Sequence, residues 1–389
     1  KTTKRKMDSN KILFLKFGEF SNINKSVYRI LAQEYPECEI ETIDAWELIK
    51  HKTSVHHYFL NCYFFLKEYG IEIIRGRKKL RQSAQWFFAT SYIAILIRKK
   101  IKKICKGKEY KFSFQTQSLF NGKIDNTPNY IYTDHTTKTN FFYPDIKAHQ
   151  YLRSKNFIER SEMEAYQDAT MIFTFGSLVA HSLISQYDIP EEKVLAVYAG
   201  SNARNDLEAN NVEKYSSKNI LFVGVEWERK GGPVLLKVFK KVLDVHPDAS
   251  LTIVGCSPEN IKLPNCKIVG RIPVESVSKY YNLASIFCLP TLREPFGVAF
   301  IEAMNFSLPI VANNIGCIPD FVKNDYNGYL INNNDANQYT DAICKLLSDP
   351  VLCRTMGENG NRYVESKFSW DAVGKTIKKN IDMHQATKS

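Results

Sequence analysis

Towards its C-terminal end the chain contains the stretch Arg293-Glu294-Pro295-Phe296-Gly297-Val298-Ala299-Phe300-Ile301-Glu302-Ala303-Met304. Apolar residues before it predict a short buried strand, and the residues from Val298 to Asn305 favour a helix, so the stretch turns from a strand into a helix. The backbone N–H groups of Phe296, Gly297 and Val298 would then be unpaired donors at the positive end of that helix. Glycine lets another molecule approach the turn closely, and we expect a nucleotide diphosphate to bind there.

Two glutamates flank this turn, eight positions apart. Glu302 lies one turn into the predicted helix, on roughly the same face as Val298, where its carboxylate can accept hydrogen bonds from both hydroxyls of a ribose. Glu294 lies in the loop on the other side of the turn. Glutamates at this spacing occur by chance in many helical proteins, so the surrounding residues decide what the pair means.

The surrounding sequence resembles glycosyltransferase family 4, part of the glycosyl transferases group 1, whose members are retaining enzymes with the GT-B fold and a Glu-x7-Glu motif. Glu-Pro-Phe-Gly, the Glu-Ala that follows it and Asn327-Gly328 further on match the family in order and spacing. The resemblance runs from about Glu159 to Trp370. It implies a hexosyltransferase-type enzyme that moves a sugar from a UDP- or GDP-type sugar nucleotide to an acceptor hydroxyl, in glycolipid, polysaccharide or other glycoconjugate synthesis. Glu294 would be a catalytic residue that orients the hydroxyls of the sugar.

Strand-like apolar runs alternate with helix-length segments along the chain. Two series of six strands are predicted, at 11–17, 39–44, 112–117, 130–135, 171–175 and 194–198, and then at 220–225, 251–254, 267–269, 285–289, 310–312 and 328–331. Such runs with helical crossovers favour parallel sheets covered on both faces. Together with the resemblance they predict an α/β GT-B fold, two doubly wound Rossmann-like domains facing a cleft.

The predicted domain boundaries follow from the two series of strands. We expect an N-terminal acceptor-binding domain of residues 1–200, to which a crossover helix at about 371–389 returns, and a C-terminal nucleotide-sugar-binding domain of residues 201–370. The polar residues 201–217 separate the two series and are the expected linker.

A basic pair, Arg229 and Lys230, precedes two glycines after the first strand of the second series. A strand, a loop and the start of a helix in this order are typical of an anion-binding site. The resemblance places Lys230 as the cation that neutralises the donor diphosphate, whose negative charge grows as the sugar departs. Many family members carry an arginine where this chain has Val225, so we expect Arg229 to supply that charge. The competing interpretation is a solvated basic pair that caps a loop.

Two residues of the first half are candidates for the same site. His135 follows a predicted strand, where the family carries a histidine near the donor sugar, so we expect it to be catalytic by hydrogen bonding to the sugar and stabilising positive charge at the anomeric carbon. Gly18 follows the first strand, where GT-B enzymes have a glycine loop that touches the donor phosphates. The alternatives are a structural histidine and an ordinary strand-to-helix turn.

No metal or cofactor is indicated. The sequence contains no Asp-x-Asp, which metal-dependent glycosyltransferases generally need, and its nine cysteines include no Cys-x-x-Cys pair. We therefore expect the phosphates to be held by the helix terminus and Lys230, and we expect activity to persist in the presence of a chelator.

The charge of the chain is uneven. The formal net charge is +12, and residues 1–200 hold 31 basic against 21 acidic residues, whereas residues 201–389 hold 22 against 20. From Arg75 to Lys111 there are 13 basic residues and one acid, around the apolar block 86–97. This segment either contacts an anionic membrane surface or forms a buried helix whose basic end is solvated.

The sequence also supports expectations about the cellular location of the protein and about its acceptor. The longest apolar run has 12 residues, too short to span a bilayer, and no secretory signal pattern precedes the first predicted strand. We expect a cytoplasmic protein, with peripheral attachment at the inner membrane face as an open alternative. The acceptor would be a sugar, lipid-linked or protein-linked.

Two other classes of protein remain open. A catalytically silent GT-B protein would bind the sugar nucleotide without releasing nucleotide. A basic nucleic-acid-binding protein would use the net charge, but no recognised binding motif accompanies the basic segment and the excess charge is confined to one half of the chain. We therefore expect no nucleic-acid partner.

Overall fold

A computed structural model of the chain describes residues 10–19, 23–50, 55–74, 87–143, 155–203, 212–259 and 261–387. The backbone contacts divide the chain into two compact units, Lys1–Val197 with Ile377–Ser389, and Tyr198–Thr376. The last helix therefore begins in the second unit, and its later residues belong to the first.

The first unit contains a six-stranded sheet in which every neighbouring pair of strands is parallel. Its order is β2-β1-β3-β4-β5-β6. The strands are β1 Lys11–Lys16, β2 Glu39–Asp44, β3 Phe112–Thr116, β4 Asn129–Thr133, β5 Met171–Thr174 and β6 Val194–Ala196. Because β2 and β3 lie on opposite sides of β1, the strand order reverses between β1 and β3. Open parallel sheets bind ligands outside the carboxyl ends of the strands at such a point.

The helices of the first unit connect these strands. The described residues form α1 Ile23–Glu34, α2 Ala45–Lys50, α3 Val55–Ile74, α4 Ser91–Ile104, α5 Lys155–Asp168 and α6 Ser177–Tyr187. One core cluster joins apolar side chains of β1 to those of α2 and α4, including Leu13, Ile49 and Ile97. A second cluster lies between β4, α5 and α6, around Ile131 and Leu183.

The second unit has the same kind of sheet, also parallel throughout, in the order β12-β11-β10-β7-β8-β9. The strands are β7 Asn219–Val223, β8 Ser250–Val254, β9 Cys266–Gly270, β10 Ile286–Leu289, β11 Ile310–Asn313 and β12 Gly328–Ile331. Here the order reverses between β7 and β10, so the loops that follow these two strands define the expected ligand position.

The helices described in the second unit are α7 Gly232–Val245, α8 Ser278–Leu283, α9 Val298–Asn305, α10 Ile318–Phe321, α11 Ala336–Ser348, α12 Pro350–Lys367 and the start of α13 Trp370–Ala386. The helix α7 begins with Pro233 in its first turn and buries Leu235, Phe239 and Val242, an apolar stripe at helical spacing.

The prediction of two doubly wound α/β domains is confirmed. All twelve predicted strands are present among the described residues, with ends displaced by at most two positions. The predicted linker is described only in part, because residues 204–211 lie outside the described residues. The later part of the predicted linker is packed against the second unit. Its buried residues Lys214 and Tyr215 donate hydrogen bonds to the carbonyl oxygens of Phe306 and Ser307.

The described part of the apolar block, residues 87–97, is buried or partly buried except at Ile95. Residues 75–86 of the basic segment lie outside the described residues. In α4, Ile93, Leu96, Ile97 and Ile101 are buried against the core of the first unit, and the basic residues follow along the same helix. The described residues thus fit the buried-helix alternative. None of the described helices combines the length and the apolar character needed to cross a membrane.

Candidate active site

Two loops of the second unit meet at the point where its strand order reverses. The loop after β7 carries Arg229, whose carbonyl oxygen accepts from the Leu292 N–H at 2.9 Å and whose guanidinium donates to the Arg293 carbonyl at 2.7 Å. The Thr291 hydroxyl also donates to the Arg293 carbonyl, at 3.0 Å. Arg229 is ion-paired with Glu226 as well. Arg229 therefore holds the loop after β10 in place, in addition to carrying charge.

Lys230 and Glu294 form an ion pair between these loops. The ammonium of Lys230 contacts Glu294 Oε2, and the two side chains are only 12% and 8% exposed. The stem of Lys230 packs over Gly224, where an added Cβ would lie 3.0 Å from the Lys230 Cγ. The sequence predicted a role for each residue separately, and the structure shows that they are direct partners.

Gly297 starts α9 in a conformation that favours glycine. Its φ is +102°, and an added Cβ would lie 2.6 Å from a ring atom of Phe300 and 3.1 Å from the Cγ of Glu294. No hydrogen-bond partner is seen for the N–H groups of Gly297 or Val298 within the described part of the chain. Such amides at a helix start attract anions.

Phe296 has a packing role that the sequence did not reveal. Its side chain is buried and its ring contacts that of Phe321 edge to face, with ring centroids 5.7 Å apart. This contact fixes the turn between Glu294 and Gly297 against α10.

Glu302 lies on the buried side of α9. Its carboxylate accepts from the Tyr281 hydroxyl at 3.0 Å and from the backbone N–H groups of Asn202 and Ala203. Burial raises the pKa of Glu302 to about 7, although the three donors oppose that shift. The predicted ribose contact would therefore be made by a carboxylate that already accepts three hydrogen bonds.

His135, in the first unit, is held at both ring nitrogens. Asn140 donates to the Thr137 carbonyl at 3.0 Å, which orients its amide, and the same nitrogen lies 2.9 Å from His135 Nε2. The Thr139 hydroxyl donates to the Thr136 carbonyl at 2.6 Å and lies 2.7 Å from His135 Nδ1. The arrangement is consistent only if Nδ1 carries the proton and Nε2 accepts.

A buried carboxylate supports the His135 segment. Glu162 accepts from the backbone N–H of Thr137 at 3.0 Å, from the Tyr187 hydroxyl at 2.6 Å and from the Ser118 hydroxyl at 3.3 Å. Burial raises the pKa of Glu162. The sequence alone does not indicate this role, because a glutamate in the middle of a helix carries no signal of burial.

Gly18 is engaged within its own loop. Its N–H donates to Asp44 at 2.8 Å, its carbonyl accepts from Asn24 at 2.9 Å, and its φ is +60°. The group expected to meet a donor phosphate is therefore occupied, and we leave Gly18 out of the proposed donor site.

Asn313 is a further site candidate, which no motif of the sequence indicates. It ends β11, beside β10 in the sheet, and donates to the Thr291 carbonyl at 3.1 Å, while its Oδ1 is buried without a partner among the described residues. A polar residue at the carboxyl end of a parallel strand was the available signal. Within the described ranges, no three His, Cys, Asp or Glu side chains are grouped as a metal site requires.

The second unit is similar in sequence to a known protein family. Residues 203–363 match the family of glycosyl transferases group 1. The D-inositol 3-phosphate glycosyltransferase of Corynebacterium jeikeium is 30% identical over 182 residues, which are 42% of this chain and 43% of that protein. The chain spans about half the length of the curated relatives it matches.

Two solved structures cover nearly the whole chain. Sucrose-phosphate synthase from Thermosynechococcus elongatus has a TM-score of 0.68 at 16% identity, over 97% of this chain and 99% of that chain. HepE of Anabaena, solved with UDP and glucose, has a TM-score of 0.61 at 12% identity, over 95% and 99%. These likenesses confirm the predicted GT-B fold.

Proposed function

We propose that this chain is a retaining hexosyltransferase that uses a UDP- or GDP-type sugar nucleotide, because its residues 203–363 match the family of glycosyl transferases group 1. The second unit binds the donor and the first unit binds an acceptor with a free hydroxyl. The observation that carries this proposal is the buried pair of Lys230 and Glu294, next to the amides of Gly297 and Val298 at the start of α9.

The diphosphate of the donor is held by these amides and by Lys230. The bond from the anomeric carbon to the phosphate oxygen breaks during transfer, and negative charge grows on the diphosphate. Donors and a cation that are already in position stabilise that charge without reorganising. In the absence of donor, Glu294 neutralises Lys230, so the lysine keeps its position while largely withdrawn from water.

The remaining residues orient the nucleotide and the sugar. Glu294 accepts from hydroxyls of the sugar, and Glu302 accepts from a ribose hydroxyl in addition to Tyr281, since a carboxylate has about four acceptor positions. Arg229 positions the loop that carries Glu294. Both ring nitrogens of His135 have partners in the absence of donor, so we propose that a sugar hydroxyl replaces the Asn140 amide at Nε2 when His135 contacts the sugar and stabilises positive charge at the anomeric carbon.

Retention of configuration is proposed to result from attack on the face from which the nucleotide leaves. The acceptor oxygen forms the new bond to the anomeric carbon, and its proton passes to the leaving diphosphate. An NMR assay of the product should show the anomeric configuration of the donor, and an inverted product would contradict this mechanism.

The donor site is tested by titrating the full chain with UDP-glucose and GDP-mannose. We expect saturable binding of at least one, weakened tenfold or more in Lys230→Ala. The control is Lys218→Ala, which removes a surface lysine paired with Asp248 in the same unit and should leave binding unchanged. Equal affinity in both variants would remove Lys230 from the site, and donor binding without nucleotide release in the presence of acceptors would indicate a silent binder.

A further inference from the structure

The first unit contains a cavity of about 300 Å³ at the point where its strand order reverses. Phe17 directly follows β1, Trp46 lies two positions after β2, and Ser118 lies two positions after β3. All three line the cavity. The cavity therefore occupies the position at which open parallel sheets bind ligands.

The walls of the cavity are apolar. Phe17, Trp46 and Phe88 form an aromatic side, with centroid distances of 5.8 Å between the first two rings and 4.9 Å between the last two. The aliphatic walls come mainly from α4 and from Leu119. None of the described lining residues carries a charge, and the polar ones are hydroxyls. Such walls favour a hydrocarbon group over a sugar or a phosphate.

One end of the cavity is tied to the segment of His135. The Ser118 hydroxyl donates to Glu162 and accepts from the Tyr166 hydroxyl at 2.8 Å. The same Glu162 accepts from the N–H of Thr137, two residues after His135. A group in the cavity is thus linked through a single buried carboxylate to the residue proposed to contact the sugar.

The outer surface next to the cavity is apolar too. The helix α3 lies next to the cavity, because its Asn61 donates to the Phe87 carbonyl at 2.8 Å and accepts from the hydroxyl of Thr90, a lining residue. Its outer face exposes a stripe at helical spacing, with exposed fractions of 73%, 67%, 59% and 64%, formed by Val55, Phe59, Tyr63 and Leu66. An exposed stripe of this kind marks a contact with another apolar surface.

The hydrocarbon cavity and the exposed apolar stripe beside it both suit an amphiphile.

We propose that the cavity holds the alkyl or isoprenoid chain of an amphiphilic acceptor, whose hydroxyl receives the sugar. The assignment of the ligand as acceptor rests on the proposed function. The volume is at the lower end for small-molecule sites, so the cavity accommodates a segment of the chain near its polar head and not a whole lipid.

The test is calorimetric titration of the full chain with geranyl phosphate and with decyl phosphate, which distinguish an isoprenoid from an alkyl chain. We expect saturable binding of at least one to the wild type, and none of inorganic phosphate. Ala94→Phe fills the cavity and should weaken binding tenfold or more. Ile95→Phe adds a ring to the neighbouring residue, which is about half exposed, and should leave binding unchanged.

Leu119→Glu provides a second variant, because Leu119 lines the cavity but is 48% exposed and tolerates a charge without loss of the fold. The Leu119→Glu variant should also bind the two probes at least tenfold more weakly than the wild type does. Failure of both probes to bind the wild type, or unchanged affinity in Leu119→Glu or in a folded Ala94→Phe, would overturn the proposal.

Sugar-nucleotide titration of the same samples separates the two proposals. Loss of hydrocarbon binding with donor binding retained would refute only the cavity assignment. Hydrocarbon binding without any donor binding would refute the proposed function, and the cavity would then be a lipid site with no role in transfer.

Discussion

At the residue scale, the pairing of Lys230 with Glu294 is the main feature that the sequence could not show. The two residues are 64 positions apart, and each was predicted from its own motif. Their contact depends on β7 and β10 being neighbours in the sheet, which only the strand order reveals. Glu302 is similar, because its partner Tyr281 lies on a different helix.

Removing one charge of the buried pair should lower the free energy of unfolding more than removing both charges does. Lys230→Met leaves Glu294 charged, and Glu294→Gln leaves Lys230 charged, so each should lower the free energy of unfolding by about 3 kcal/mol. The double variant should recover at least half of that loss. Denaturant unfolding of the four proteins measures the cycle, and small additive effects would show that the two side chains do not depend on one another.

The stability contribution of Glu302 should depend on pH. Its pKa is about 7 in the folded protein against 4.5 ordinarily, so the folded state binds the proton more tightly between these values. The stabilisation is complete below pH 4.5 and is lost as the pH rises through 7. Between pH 5 and pH 8, Glu302→Gln should therefore lose less stability than the wild type, by about 2–3 kcal/mol. An equal decline in both proteins would contradict the shift.

At the element scale, the strands were predictable and their ends were not. The first predicted strand ran on to Phe17, an apolar residue that continues the pattern, whereas β1 ends at Lys16 and Phe17 packs against Trp46. The strand predicted to reach His135 ends at Thr133, whose hydroxyl donates to the His135 carbonyl at 2.9 Å. An apolar residue that follows a strand and lines a site, such as Phe17, continues the apolar pattern of that strand. The sequence therefore does not show where the strand ends.

The start of α9 should not tolerate a side chain at Gly297. Gly297→Ala places a Cβ at φ +102° and against Phe300, so it should lower the free energy of unfolding by about 1–3 kcal/mol and weaken sugar-nucleotide binding. Thermal unfolding and titration measure both effects.

Gly70→Ala is the matched control for that substitution. Gly70 lies within α3, and no atom comes within 4 Å of an added Cβ. Alanine there should stabilise the protein by about 0.5–1 kcal/mol. If the two variants were equally stable, the backbone argument at Gly297 would be wrong.

At the scale of the whole molecule, both candidate ligand sites lie where a strand order reverses, one in each unit. The sequence predicted the two sheets because apolar runs and crossovers are local signals. It did not predict the cavity of the first unit, because Phe17, Trp46, Phe88 and Leu119 come from four separate segments. The apolar block 86–97 was instead assigned to a membrane contact or a buried helix, and part of it forms a cavity wall.

Hydrogen exchange with and without saturating UDP-glucose or GDP-mannose, whichever binds, shows where the donor lies on the second unit. We expect slower exchange in the segments 224–232 and 290–299, including the amides of Gly297 and Val298. We also expect that Lys230→Met weakens this protection at the same donor concentration. Protection that spares both segments, with the sugar nucleotide demonstrably bound, would contradict the claim that the start of α9 and the Lys230–Glu294 pair hold the donor.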